Sequence, residues 1–282
     1  MTRMWVGELI TAGRLEDAET MLRSVNRAGL DEMKLLNYTH NVVELALAFL
    51  QRDGLDRAVN TVLSLIDAPD DISWGLERIF EEYLVECTPE RARRVWRRVH
   101  LIPEPEKKVE VLLKVLDCLD GEEERRKVLS EAFGWALRVR GRSWRTYMLS
   151  RVLYRVHDLE YYDLMLELCR RIRWRERRLV FEDFLFEDEN AETCEEFVET
   201  LRKRLEASEN ALDTVIEVHL KYEKELLRAK GLNPGFYRLL PWRTPEGVIF
   251  YAVPKPLYPL AVLYLRLRSI TGRRRVRVVK AD

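Results

Sequence analysis

Arginine is the residue through which this sequence could do chemistry, and it gathers in three stretches. "RARRVWRRV" sets Arg94, Arg97 and Arg98 at three- and four-residue spacing around Trp96. "RRIRWRERR" interleaves Arg171, Arg173 and Arg175 with Ile172 and Trp174, against the single acid Glu176. "TGRRRVRVVK" carries Arg273, Arg274, Arg275, Arg277 and Lys280, with no acid until Asp282. A guanidinium is always charged and presents a planar fork of donors that fits phosphate or carboxylate, while a neighbouring aromatic can stack on a base. In the last stretch charged and β-branched residues alternate, so it reads as a half-buried strand with Arg273, Arg275 and Arg277 on one face. Three forks pointing one way suit phosphates or an acidic partner surface.

The plainer use of the same residues is pairing with carboxylates of neighbouring elements, and 48 acidic residues are available. For the two internal stretches that pairing is the expected outcome, with Trp96 and Trp174 in the core, because a helically spaced aromatic usually faces the stack. For the terminal arginines, recognition of an external partner is expected over docking on the chain's own acids.

Catalytic constellations are sparse. Neither GxGxxG nor GxxxxGK[ST] occurs, and His40, His100, His157 and His219 are scattered with no HExxH pair. His219 and Glu223 lie one helical turn apart, a spacing that could seed an acid–base pair but more often makes a surface ion pair. Asp183 and Glu187 share a spacing that two metal-binding carboxylates could use, yet lack basic or histidine partners, so a solvated acidic turn is expected. No enzyme, cofactor or metal site is expected.

The elements that would position the arginines are helices in hairpins. Six segments, beginning with "ELITAGRLEDAETML", share an apolar pair followed by a break and an acidic helix start. The second apolar residue of each pair is Ile10, Leu50, Leu84, Leu116, Leu153 and Leu185, at successive spacings of 40, 34, 32, 37 and 32 residues. Acidic residues after the break complement the positive end of the following helix. In "TPERA", Thr88 is placed as the cap and Pro89 as the first helical residue. A hairpin this short cannot bury its apolar stripe alone, so neighbours must stack and share one core.

These hairpins resemble tetratricopeptide-type repeats, whose helix pairs recur every 34 residues. The small residue on which that family packs its second helix falls at Ala18, Ala58 and Ala92; the later hairpins place Glu124–Arg125, Tyr161 and Thr193 there. The resemblance covers residues 1–207 and implies an α-solenoid that binds a partner.

After the hairpins a long helix runs to Gly231, a fitting C-cap. Composition then shifts. Residues 233–282 hold six of the ten prolines and ten basic residues against two acidic ones, a net of +8 in a chain whose total is zero, so residues 1–232 carry −8. "FYRLLPWRTPEGVIFYAV" reads as two short strands joined at "TPEG", followed by a helix through "PLAVLYLRLRSI". The expected architecture is mainly α: a solenoid of about six helix-turn-helix repeats over 1–232, then a small basic, proline-rich α+β extension over 233–282.

Four scattered cysteines, Cys87, Cys118, Cys169 and Cys194, are expected to be small buried hydrophobes in a reducing compartment. With no export signal and no apolar run long enough to span a bilayer, this places the chain in the cytoplasm, without membrane partners. One glutamine and abundant charge suggest a thermophile. The expected function is a non-enzymatic scaffold for a protein partner, using the solenoid surface and the basic extension. The alternative is nucleic-acid binding through the arginine stretches.

Overall fold

The computed structural model describes residues 5–185, 190–221, 223–244 and 247–271. The chain is mainly helical, with one small antiparallel sheet near its C-terminus. It divides into two compact units, Met1–Cys194 and Glu195–Asp282.

The first unit is built from helices in hairpin succession: α1 (Val6–Thr11) and α2 (Leu15–Arg23), α3 (Glu32–Asp53) and α4 (Leu55–Leu65), α5 (Pro69–Tyr83) and α6 (Pro89–Trp96), α7 (Pro105–Cys118) and α8 (Glu122–Ala136), α9 (Arg142–Asp158) and α10 (Tyr162–Arg170), then α11 (Trp174–Phe184). Local chemistry sets the breaks. Thr88 caps α6 by accepting from the Arg91 N–H at 3.4 Å, with Pro89 in the first turn, as the sequence indicates. The Asp31 carboxylate caps α3 by accepting from the Lys34 N–H at 2.9 Å.

First helices of successive hairpins pack on one another, α1 on α3, α3 on α5, α5 on α7, α7 on α9 and α9 on α11. The repeat anchors Leu50, Leu84, Leu116 and Leu153 are buried, while Ile10 and Leu185 are half-buried. Ala18, Ala58 and Ala92 are fully buried. Close approach also requires Gly75, since a Cβ there would lie 3.2 Å from the side chains of both Val43 on α3 and Val62 on α4.

Ion pairs tie each hairpin to the next. Arg93 on α6 donates to Glu124 on α8 at 2.7 Å, and Arg126 on α8 to Asp163 on α10 at 2.7 Å. Between first helices, Lys107 on α7 meets Glu77 on α5 at 2.9 Å, and Arg151 on α9 meets Glu110 on α7 at 3.2 Å. Such partly exposed pairs add little stability each, but they fix which faces meet.

The cysteines correct the sequence reading. Cys87 is bonded to Cys118 and Cys169 to Cys194, leaving no free thiol. Cys87 follows α5 and Cys118 ends α7, so stacking of these two first helices brings their Cα atoms to 5.0 Å, within bonding range. Sequence spacing alone hides this, because the partners lie 31 residues apart. The argument for a reducing compartment from isolated cysteines therefore loses its basis. No helix of the described residues is long and apolar enough to cross a membrane.

The second unit contains most of the long helix α12 (Cys194–Lys221), then α13 (Glu223–Ala229), β1 (Tyr237–Thr244), β2 (Gly247–Pro254) and α14 (Tyr258–Thr271). The two strands pair from Tyr237↔Pro254 to Thr244↔Gly247, which bears out the hairpin read around "TPEG". His219 stacks on Phe250 with ring centroids 4.3 Å apart, and the Glu223 carboxylate accepts the Leu239 N–H at 2.5 Å. Both members of the suggested acid–base pair are thus engaged with the sheet. The strand expected over the terminal arginines, with Arg273, Arg274, Arg275, Arg277 and Lys280, lies outside the described residues.

Candidate nucleic-acid interface

The two internal arginine stretches differ in how their charges are met. In the first, Arg94 pairs with Glu90 at 3.1 Å. Arg98 pairs with Asp56 on α4 and donates to the Arg94 carbonyl at 2.9 Å. Only Arg97, exposed in the turn after α6, lacks a carboxylate partner among the described residues. Trp96 is half-buried and its Nε1–H donates to Glu131 at 2.6 Å.

In the second stretch Arg178 pairs with Glu182 at 3.0 Å, while the arginines around Ile172 and Trp174 find no acid among the described residues. Arg173 and Arg175 are exposed with no carboxylate partner among the described residues. The Arg171 guanidinium lies 5.4 Å from the centre of the Phe133 ring instead of on an acid. Trp174 is 71% exposed, which overturns its placement in the core: it is the first residue of α11, where the helix begins outside the seam, and the apolar residue seated inside is Ile172.

A second loop stands beside it. After α8 the chain reads Arg138-Val139-Arg140-Gly141-Arg142, and 33 residues later it reads Arg171-Ile172-Arg173-Trp174-Arg175. The two turns are built alike. Val139 and Ile172 are buried plugs whose N–H groups bond back to Ala136 and Cys169. The basic residues flanking each plug are exposed. Gly141 has φ +79°, a left-handed conformation that glycine adopts without strain, and it turns the chain directly into α9.

Three contacts hold the loops side by side. Arg142 Nη2 donates to the Arg175 carbonyl at 2.7 Å. Arg145 Nε donates to the buried Glu176 carboxylate at 2.9 Å, and Arg145 Nη1 to the Val139 carbonyl at 3.1 Å. Glu176, the one acid of the stretch, is consumed in this internal contact. Arg138 lies over Trp135 at 4.5 Å, and Lys108 sits on the same ring at 3.6 Å. Burial, and then the Arg138 charge, push the Lys108 amine below its ordinary range.

The result is an edge with Arg138, Arg140, Arg142, Arg171, Arg173 and Arg175, none paired with a carboxylate among the described residues. The first turn of α9 contains no acid, so the positive end of its dipole adds to the field. Beside it on α9, Trp144 and Tyr147 stack at 5.1 Å and 21°, each about half exposed. Sequence reasoning singled out Arg171, Arg173 and Arg175 but missed Arg138, Arg140, Arg142, Trp144 and Tyr147. The signal was present in the basic–apolar–basic triplet repeated 33 residues apart.

Among the described residues, the carboxylates considered for a metal site do not gather into one. Asp183 accepts from the Ser150 hydroxyl at 2.6 Å, and Glu187 lies outside the described residues. Among the described residues no three His, Cys, Asp or Glu side chains gather as a metal site. Comparison with known proteins brings no match: no family model, no curated protein and no solved structure aligns with this chain.

Proposed function

We propose that this protein is a non-enzymatic helical-repeat protein that holds a phosphate-bearing chain along the edge formed by the 138–142 and 171–175 loops. On this reading residues 1–194 form an α-solenoid of tetratricopeptide-like hairpins. The in-line packing of α1, α3, α5, α7, α9 and α11 supports it, as do ion pairs one hairpin apart. The observation that carries the function is the contrast in pairing. Arg52, Arg57, Arg93, Arg94, Arg98, Arg126, Arg151 and Arg155 each have a carboxylate. The arginines of the two loops have none among the described residues, although a chain with 48 acids could supply them. Like charges held together without counter-charges favour an anionic partner, and a partner with repeated phosphates matches a row of forks.

The other expectation, a protein partner on the solenoid surface, draws less support. On the first helices the charged groups are consumed between neighbours, Glu77 with Lys107, Glu81 with Lys114, Glu110 with Arg151 and Asp117 with Arg155.

The test is the salt dependence of binding to a homopolymeric oligonucleotide. Replacing Arg140, Arg142, Arg173 and Arg175 by Ser should flatten the slope of log K against log salt by roughly 3, at about 0.7 per lost phosphate contact. Arg94→Ser, which removes an arginine already paired with Glu90, should leave the slope unchanged. Equal effects of the two variants would refute assignment of binding to this edge.

A further inference from the structure

The edge carries flat aromatic surface as well as charge, and the two are interleaved. Trp174 lies between Arg173 and Arg175 in sequence and leaves 71% of its surface in water. An exposed indole gives up the burial that normally stabilises a tryptophan, of the order of its 150–250 Å² of surface. Its sequence neighbours leave it uncovered: Ile172 fills the seam, and Arg173 and Arg175 are themselves exposed. On α9, Trp144 and Tyr147 are already stacked on each other at 5.1 Å, a pre-formed ring pair with about half of each side chain in solvent. The hydrogen bond from Arg142 to the Arg175 carbonyl joins the helix bearing the ring pair to the helix bearing Trp174.

We infer that the phosphate-bearing chain is a single-stranded nucleic acid, with unpaired bases stacked on Trp174 and on the Trp144–Tyr147 pair and phosphates on Arg140, Arg142, Arg173 and Arg175. This rests on the polyanion-binding edge proposed above and adds the identity of its occupant. The choice follows from the chemistry. A duplex keeps its base faces inside its own stack, so it could use the arginines but not the rings. An acidic peptide could satisfy the guanidinium groups but offers no planar faces for three exposed rings. A single strand offers both, phosphates for the arginines and unpaired base faces for the rings.

The same residues set the expected specificity. Reading a base edge requires donors and acceptors held in fixed positions, and the loops supply little besides arginine. Apart from the ring N–H and O–H groups of Trp144, Tyr147 and Trp174, Ser143 is the one exposed neutral polar side chain in 138–147 and 171–175, since Thr146 is buried. Stacking accepts every base, so binding should depend weakly on sequence. RNA and DNA share the phosphate and base-face chemistry, and both are arms of the test.

The experiment uses the full chain and fluorescence anisotropy with labelled probes at fixed low salt. The probes are an oligothymidylate and an oligouridylate of about a dozen nucleotides, a blunt DNA duplex of equal length, and a polyglutamate peptide of similar charge. The variants are Trp174→Ala, the double variant Trp144→Ala/Tyr147→Ala, and the four-arginine variant above. Trp174→Ala removes an exposed ring, so its melting temperature should match the parent. Its affinity for both single strands should fall roughly 5- to 160-fold, the range for one lost base–aromatic stack, with duplex binding unchanged. Indole fluorescence should be quenched by single strands in the parent. If duplex or polyglutamate binds as tightly as the single strands, or Trp174→Ala and the double variant bind like the parent, the single-strand inference is overturned. In that case loss of binding in the four-arginine variant would still uphold the polyanion edge. Absence of binding to every probe would overturn both.

Discussion

Removing the Cys87–Cys118 bond tests the stacking of consecutive hairpins directly. The bond closes a loop of 31 residues that contains α6, the connection after it, and α7. By the chain-entropy relation, cross-linking a loop of this length withdraws roughly 12 cal/mol/K from the unfolded ensemble, or about 3.7 kcal/mol at 25 °C. For a unit of 150–250 residues, each kcal/mol moves the melting temperature by about 2–4 °C. The double variant Cys87→Ser/Cys118→Ser should therefore melt roughly 7–15 °C below the parent. The serines replace sulfur atoms at the ends of α5 and α7 without disturbing the Leu84 and Leu116 anchors, so the helical circular dichroism signal before the transition should be unchanged. Calorimetry, with and without a reductant, is the assay. Reduction should move the parent to the variant's melting temperature once Cys169–Cys194 is removed from both. Thiol titration of the unreduced, denatured parent should find no free cysteine. A drop under about 2 °C, or stoichiometric labelling of Cys87 and Cys118 in the unreduced chain, would refute the adjacency of α5 and α7 on which the argument depends.

The remaining predictions address the core, the internal ion pair and the acid limb. Leu116→Ala, at an anchor only 2% exposed, should cost ~2–5 kcal/mol in denaturant unfolding; a loss under half a kcal/mol would place Leu116 outside the core. Glu176→Ala should cost about 3 kcal/mol by the same assay, because it leaves the Arg145 guanidinium without its carboxylate in a largely buried setting. That variant should also loosen the junction of the two loops, seen as faster amide exchange at Val139; unchanged exchange would count against Arg145 as the loop's fastener. The Glu16, Glu124 and Asp163 carboxylates are held below their ordinary values of 4.5, 4.5 and 3.8 by hydrogen bonds from Arg52, Arg93 and Arg126. Their folded values lie below the unfolded ones, so on acidification the unfolded chain takes up protons first. The stability from these pairs is present above about pH 4.5 and lost as pH falls through the folded values. Thermal melts from pH 7 to 3 should fall less steeply below pH 4.5 when the three arginines are replaced by Ser, and parallel curves would refute the coupling.

The sequence determined the hairpins, because what makes them is local. Apolar residues at three- and four-residue steps define a buried stripe, and Thr88 with Pro89 ahead of Glu90 and Ala92 is a pattern that opens a helix. Ala18, Ala58 and Ala92 were legible as contact points through the resemblance to tetratricopeptide-type repeats, whose small packing residue falls there. The strand pair around Pro245 and Glu246 was legible from its turn residues and β-branched flanks. Pairing across the stack was not legible. Arg94 and Arg98 sit in as basic a stretch as Arg173 and Arg175, yet the first two find Glu90 and Asp56 while the second two find no carboxylate among the described residues. Cys87 and Cys118 looked as isolated as any residues 31 apart, and Trp174 looked as helical as Trp96. Whether a charge is met, a thiol bonded or a ring covered depends on which faces of separate hairpins come into contact. That is fixed by the packing of side chains such as Ile172 and Val139 in the seams, and only the tertiary structure brings those seams together.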